Sequence, residues 1–312
     1  MWILGIDAGG TKTHCAIAKL DGTIIAEGFG GPSNYQMVGE QCAQMELKTA
    51  IDQALERAGI LCVDLACAVF GMSGADEEVD FDVLNPLVKR LMGDVPSKVV
   101  HDSWIGMRSE VEDMTGIVSI CGTGAGHSGR NSKGEQVTLR NLYYELGNMG
   151  GGEELVSQAL HYAFRSNEGT YKKTVLEEVV LDVFDLPDME TLCQKIRDNG
   201  MSAKENYLIP IRVFEAANRG DEVAIMLLER MGYEEGLYGV GVIKRLHMEE
   251  EAFPIVLIGS LFQTGNKYLI NAYMKAIKEV APKAFPLIST KPPVIGAIGM
   301  GMDWLGTSFF LT

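Results

Sequence analysis

Asp7, Lys12 and two threonines crowd around a pair of glycines in the segment Asp7-Ala8-Gly9-Gly10-Thr11-Lys12-Thr13, and a second carboxylate, Asp102, follows a short apolar run. Glycines let backbone N–H groups approach an anion, the hydroxyls of Thr11 and Thr13 add donors, and Lys12 adds positive charge, so the segment could clamp a phosphate group. Asp7 beside it could hold a divalent cation through water. The residue order is neither the Walker loop, which ends in Gly-Lys-Ser/Thr and opens a helix, nor the Gly-x-Gly-x-x-Gly dinucleotide turn. Taken alone, the segment reads equally well as a Gly-Gly hairpin turn with no ligand. Asp102 also has two readings. A carboxylate there can take the proton of an alcohol as it attacks a phosphoryl group, or it can simply N-cap the segment that begins at Ser103.

The elements around these residues narrow the choice. Apolar runs at Trp2–Ile6, Cys15–Ala18 and Thr23–Ala26, separated by the glycine turn and by Asp21-Gly22, form two β-hairpins in series. The pattern recurs over residues 116–139, with Gly122-Thr123-Gly124 in the place of the first turn. Two such units imply an internal duplication. If the halves face each other, their glycine turns converge on one cleft that could grip a nucleotide polyphosphate from both sides.

Between the two units, the loop Gly31-Pro32-Ser33-Asn34-Tyr35 offers Ser33 and Asn34 as partners for substrate hydroxyls or as caps for the next helix, expected over Glu40–Ala58 and stopped by Gly59. A buried strand over Asp64–Phe70 stops at Gly71-Met72-Ser73-Gly74-Ala75, a helix follows over Asp80–Met92, and a strand over Lys98–His101 leads to Asp102. Strand-helix-strand order predicts a parallel extension of the sheet, and such sheets carry ligand groups at the carboxyl ends of their strands, where Asp102 stands.

After the second unit, Gly147-Asn148-Met149-Gly150-Gly151-Gly152 opens a helix to about Arg165. Helices are expected over Lys172–Phe184, Asp188–Asn199, Ala203–Asn218 and Asp221–His247, the last with Gly232, Gly236, Gly239 and Gly241 on a closely packed face. A strand over Pro254–Ile258 breaks at Gly259-Ser260, a helix covers Asn266–Val280, and Pro292-Pro293 leads into a terminal helix over Val294–Leu305.

The chain of 312 residues has room for two domains, and its 46% apolar and 22% charged content is that of a globular protein. A net charge of −15 argues against nucleic acid or an anionic membrane as partner. No basic stretch followed by an apolar segment opens the chain, and no apolar run is long enough to span a bilayer, so the cytoplasm is the expected location. The six cysteines, at 15, 42, 62, 67, 121 and 193, lack metal-ligand spacing and read as buried free thiols.

In order along the chain, Asp7-x-Gly9-Gly10-Thr11-Lys12, Asp102 after its strand, Gly122-Thr123-Gly124, Gly259-Ser260 and the closing Gly296-Ala297 helix resemble the acetate and sugar kinase, Hsp70 and actin superfamily. Within it the chain is most similar to the N-acetylglucosamine kinase and BadF/BadG/BcrA/BcrD-type ATPase group, over nearly its whole length. The resemblance implies an α/β fold of two ribonuclease-H-like (actin-like ATPase) domains with a nucleotide cleft between them. The domains would span residues 1–112 with a C-terminal helix in 293–312, and residues 113–292 with a helical insertion. It further implies ATP and Mg²⁺ as cofactors, a small-molecule sugar as substrate, and a homodimer. Carried over by position, Gly9, Gly10, Thr11, Lys12, Gly122, Thr123 and Gly124 would line the phosphates, and Gly259 and Ser260 would sit at the adenosine. Asp7 would hold magnesium through water and Asp102 would be the base. Ser33, Asn34, Gly74 and Asn148 are the candidate substrate contacts.

Two departures bear on the substrate. Where N-acetylglucosamine kinases have Gly-Thr-Gly-Ser-Asn, this chain has Gly122-Thr123-Gly124-Ala125-Gly126. Where they have Gly-Asp-Glu-Gly-Ser, it has Gly147-Asn148-Met149-Gly150-Gly151. A missing hydrogen bond in a buried polar site costs roughly 1–3 kcal/mol, enough to change which sugar is preferred. The leading expectation is an ATP-dependent kinase of a hexose or amino sugar. The alternatives are a BadF-type ATPase that activates a partner dehydratase or reductase through an iron-sulfur cluster, for which Cys121-Gly122 is the nearest approach to a cluster ligand, and a nucleotide-binding scaffold without turnover.

Overall fold

A computed structural model describes residues 1–140 and 144–306, so residues 307–312 of the expected first domain lie outside the described residues. Contacts group the chain into two units: residues 1–118 and 128–138 with the segment from Ser289 onward, and residues 119–127 with 139–288.

The first unit opens with β1 (Trp2–Ala8), β2 (Thr13–Lys19) and β3 (Ile24–Gly30), then the single turn α1 (Tyr35–Val38) and the long helix α2 (Glu40–Ala58). Next come β4 (Leu65–Met72), α3 (Glu78–Met92), β5 (Ser97–His101) and α4 (Asp102–Glu110). The strands lie in the order β3-β2-β1-β4-β5. β1 to β3 pair antiparallel, while β4 lies parallel to both β1 and β5. The parallel extension expected from the strand-helix-strand order is therefore present.

Side chains alternate across β1 with the period of two that a strand dictates. Leu4 and Ile6 face one side with Leu47 and Ile51 of α2 and Leu84 and Leu87 of α3, whereas Ile3 faces the other. Burying each such side chain stabilises the fold by about 1.5–3 kcal/mol. α2 stops where expected because Gly59 takes a left-handed conformation (φ 66°), letting its N–H bond back to the Glu56 and Leu55 carbonyls.

The second sheet contains β6 (Gly116–Cys121), β7 (Ala125–Arg130) and β8 (Gln136–Thr138). After them come α5 (Gly151–Asn167), α6 (Leu176–Phe184), α7 (Met189–Asn199), α8 (Ala203–Asn218), α9 (Glu222–Leu246), β9 (Pro254–Ile258), α10 (Lys267–Lys278) and β10 (Phe285–Ile288). Its strand order, β8-β7-β6-β9-β10, repeats that of the first sheet, so the duplication read from the two glycine turns extends to whole sheets. Both sheets have the ribonuclease-H-like order. α6 begins four residues later than expected, after a non-helical Lys172–Val175, and β10 was not foreseen. On α9, Gly232, Gly236 and Gly239 lie against α10, where added Cβ atoms would come 2.1 Å from the Leu269 carbonyl oxygen, 2.6 Å from that of Tyr273 and 2.8 Å from the Tyr273 hydroxyl. Gly241 points elsewhere and meets only Leu139 at an ordinary 3.7 Å.

The last helix, α11 (Pro293–Trp304), packs on the first sheet: Ile298 and Met302 meet Ile3, Ala18 and Cys67, and Ala297 meets Val69 and Ile105. Arg108 of α4 fastens it through a two-pronged pair with Asp303, at 2.8 and 3.1 Å. No described helix is long and apolar enough to cross a membrane.

The α4–α11 approach yields a test. A Cβ on Gly296 would lie 1.7 Å from the Ile105 carbonyl oxygen, backbone that cannot give way, whereas one on Gly299 would meet only the Arg108 guanidinium, a side-chain group, at 3.1 Å. Gly296→Ala should therefore destabilise by about 3 kcal/mol or more, and Gly299→Ala by about 1 kcal/mol, in urea unfolding followed by circular dichroism. Equal midpoints would contradict so close a crossing.

Candidate active site

The hairpin between β1 and β2 presents Gly9 to Lys12, with the Gly9 N–H closing on the Lys12 carbonyl at 3.0 Å. The following loop is tied to it from behind: Ser33 N–H donates to the Gly9 carbonyl (3.0 Å) and Ser73 N–H to that of Ala8 (2.9 Å). Thr13 and Ser33 are fully buried. The Thr13 hydroxyl donates to the Gly31 carbonyl (2.8 Å), which leaves its oxygen to accept from Ser33 Oγ at 2.6 Å. Both hydroxyls thus set the path of the loop.

Asn34 is the N-cap of α1, its Oδ1 accepting the Gln36 N–H at 3.0 Å. It lies beside Gly74, where a Cβ would come within 2.8 Å of that oxygen and where φ is +85°. Asp80, which was not singled out from sequence, joins the two segments. Its Oδ1 accepts from the Tyr35 hydroxyl and from the Gln36 amide (3.1 Å), and its Oδ2 from the N–H groups of Asp76 (3.0 Å) and Glu77 (2.7 Å). Burial pushes this carboxyl up, but these donors, Tyr35 foremost, outweigh it and hold it below its ordinary range.

Asp7 and Asp102 come from the carboxyl ends of β1 and β5. Burial raises the Asp7 carboxyl to about 7, the charge of Asp102 adds to the rise, and Lys12 opposes it. Asp102 is also raised, by burial first, with His101 opposing and Asp76 adding. Asp102 is the first residue of α4, where the helix dipole favours a negative charge, but it is not the cap. That role falls to His101, whose Nδ1 lies 3.2 Å from the Ser103 N–H and 2.6 Å from Ser103 Oγ. Ser103 Oγ continues to Ser128 Oγ (2.9 Å) and Ser128 to Thr138 (3.1 Å). The His101 ring stands between two acids, Nε2 at 3.3 Å from Asp76 Oδ1 and Nδ1 at 3.3 Å from Asp102 Oδ1. Burial works against its charged form, yet Asp102 and Asp76 prevail and raise its pKa. Neither His101 nor Asp76 belongs to a motif, and only their meeting in space marks them.

In the second unit the Gly122–Gly124 turn rests on the start of α5. Gly152 N–H donates to the Gly122 carbonyl (2.7 Å) and Glu153 N–H to that of Thr123 (3.2 Å). In a trans peptide the N–H points opposite the carbonyl, so the amides of Thr123 and Gly124 are directed away from α5, toward the exposed side of the turn. Gly259 completes the cluster. At φ +100° its missing Cβ would stand 2.3 Å from the Cys121 carbonyl oxygen, which also accepts the Leu261 N–H at 3.1 Å. Gly122–Gly124, the Gly150–Gly152 start of α5 and Gly259-Ser260 are therefore in one place, with Ser260 exposed and Asn148 partly exposed just before α5. Beneath lies a buried pair the sequence did not reveal, His127 Nε2 at 2.9 Å from Glu235 Oε2, continued from Nδ1 to Ser119 (3.0 Å) and on to Tyr273 (2.7 Å). Among the described residues no group of three or more His, Cys, Asp or Glu side chains could by itself cage a metal ion.

The model of the BadF/BadG/BcrA/BcrD ATPase family matches residues 4–301. The N-acetylmuramic acid/N-acetylglucosamine kinase of Clostridium acetobutylicum is 28% identical over 299 residues, covering 95% of this chain and 97% of its own length. The N-acetyl-D-glucosamine kinase of Dictyostelium discoideum is 29% identical over 314 residues, covering 96% and 97%. A solved structure from Chromobacterium violaceum, provisionally named an N-acetylglucosamine kinase, shares the fold with a TM-score of 0.75 at 21% identity, over 95% of this chain and 97% of that one.

Asp7 gives a pH prediction. Its folded pKa of about 7 exceeds the ordinary aspartate value of 3.8, so between these values the folded state binds more protons than the unfolded one and stability falls as pH rises. Without magnesium, Asp7→Asn should raise the melting temperature at pH 8 and raise it less at pH 5. A gain independent of pH would rule out the raised carboxyl.

Proposed function

The chain belongs to the BadF/BadG/BcrA/BcrD ATPase family, and on that premise we propose that it is an ATP-dependent kinase transferring the γ-phosphoryl group of Mg-ATP to a hydroxyl of a hexose or amino sugar. N-acetylglucosamine, N-acetylmuramic acid and glucosamine are the candidate acceptors, and a cytoplasmic homodimer is part of the same reading. The observation that carries it is the pair of half-buried carboxylates at the ends of β1 and β5, one beside a glycine-lysine turn and the other opening α4.

Gly9 to Lys12 and the outward amides of the Gly122–Gly124 turn would take the phosphates, and Gly259 with Ser260 the adenosine. Asp102 would accept the proton of the sugar hydroxyl. A raised pKa makes it the stronger base, and its place in the first turn of α4 favours the ionised form needed to act. Asp7 fits magnesium: a single carboxyl raised by burial and by a neighbouring acid is relieved by a cation, held through water and by the nucleotide's own phosphates rather than by a protein cage. When bound, the ion would neutralise charge on the phosphates. Asn34, Gly74 and Asn148 would meet the sugar, with Ser33 shaping the loop that carries Asn34.

The activator reading needs a cysteine able to reach a cluster. Cys121 is fully buried, its thiol pushed well up by burial and by Glu235, which suits neither exposure nor ligation.

The test is ADP release from Mg-ATP over a panel of hexoses, amino sugars and N-acetylated sugars, with Asp102→Asn alongside. One sugar should stimulate turnover, and the substitution should lower it by about 10²–10⁴-fold. Slow hydrolysis indifferent to every sugar would refute the kinase.

A further inference from the structure

Asp102 is not free to choose its orientation. His101 precedes it at the end of β5, only 7% exposed, in register with Met72 of β4. Asp76 follows the Gly74-Ala75 turn after β4, and its backbone N–H is bound by Asp80 Oδ2. A continuous run of polar contacts therefore leads from the Tyr35 and Gln36 side chains through Asp80, the Asp76 backbone and carboxylate, and the His101 ring to Asp102 Oδ1. Two states of the ring fit its surroundings. Neutral, Nδ1 accepts the Ser103 N–H; charged, Nδ1–H turns to Ser103 Oγ and Asp102 while Nε2–H faces Asp76. In the charged state the ring holds Asp102 through Oδ1.

We propose that His101, aimed by Asp76, is a positioning residue for Asp102, fixing the carboxylate so that one oxygen remains presented to the acceptor hydroxyl. The inference rests on the reading of Asp102 as the base. A base must sit within hydrogen-bond reach of the proton it takes, and a displacement of about 1 Å can cost on the order of 10²-fold in rate.

The competing role for His101 is purely architectural, as the cap of α4, and two substitutions separate them. His101→Ser keeps a good N-cap but is too short to reach either carboxylate. Asp76→Ala leaves the cap untouched and removes the anchor of the ring. Each should lower kcat by about 10- to 100-fold while leaving KM for ATP within about twofold. A cap alone predicts wild-type kcat in both. If His101→Ser does not fold, as an unmeasurable KM for ATP would reveal, Asp76→Ala decides. Asp102→Asn separates the levels: full turnover in that variant overturns the base assignment itself, whereas an inactive Asp102→Asn with wild-type kcat in the other two overturns only the positioning role.

Discussion

A buried carboxylate facing the charge of a second one is costly, and the first unit is arranged around that cost. Asp7 is raised to about 7 by burial and by the charge of Asp102, with Lys12 the nearest relief. The corner arises from strand register. Asp7 lies opposite Gly71 and His101 opposite Met72, so two acids from distant parts of the chain end at the same edge of one sheet. The surrounding groups fit that strain: a glycine turn that can admit phosphate, a lysine, a helix start under Asp102, and a histidine between Asp102 and Asp76. Each offsets negative charge without giving Asp7 a permanent partner.

The second unit solves a simpler problem, that of holding a turn still. Its glycines are packed instead of loose, because the carbonyls of Gly122 and Thr123 accept from α5 and Gly259 lies on the Cys121 carbonyl. Three segments with little side chain come close enough for main chain to meet main chain. The buried His127–Glu235 pair beneath them supplies polar anchoring.

Much of this was legible in the sequence. The α2 boundaries were read correctly because periodicity and the stop at Gly59 agreed, those of α8 came from periodicity alone, and the repeated turn announced two sheets of one design. β10 escaped because it is four residues long, contains Pro286 and is half exposed, so it lacks the alternation that betrays a strand. For Asp102 the sequence allowed a cap or a base, and the structure gives the cap to His101. His101, Asp76 and Glu235 had no local signal, and Asp80 had only that of a helix start. Each also reaches a partner from another element, Tyr35 for Asp80, Asp76 for His101 and His127 for Glu235, and a pairing of that kind is invisible until the chain is folded.

The return of α11 to the first sheet has a consequence during synthesis. Ile3, Ala18 and Cys67 form an apolar face whose cover, Ile298 and Met302, follows nearly the whole second unit in the chain. At translation rates of about 5–20 residues per second, that face waits on the order of ten seconds or more after β5 has emerged. β1 is thus completed only after the whole second unit has been made, and a chain halted before α11 would leave Ile3, Ala18 and Cys67 uncovered, a natural substrate for a chaperone.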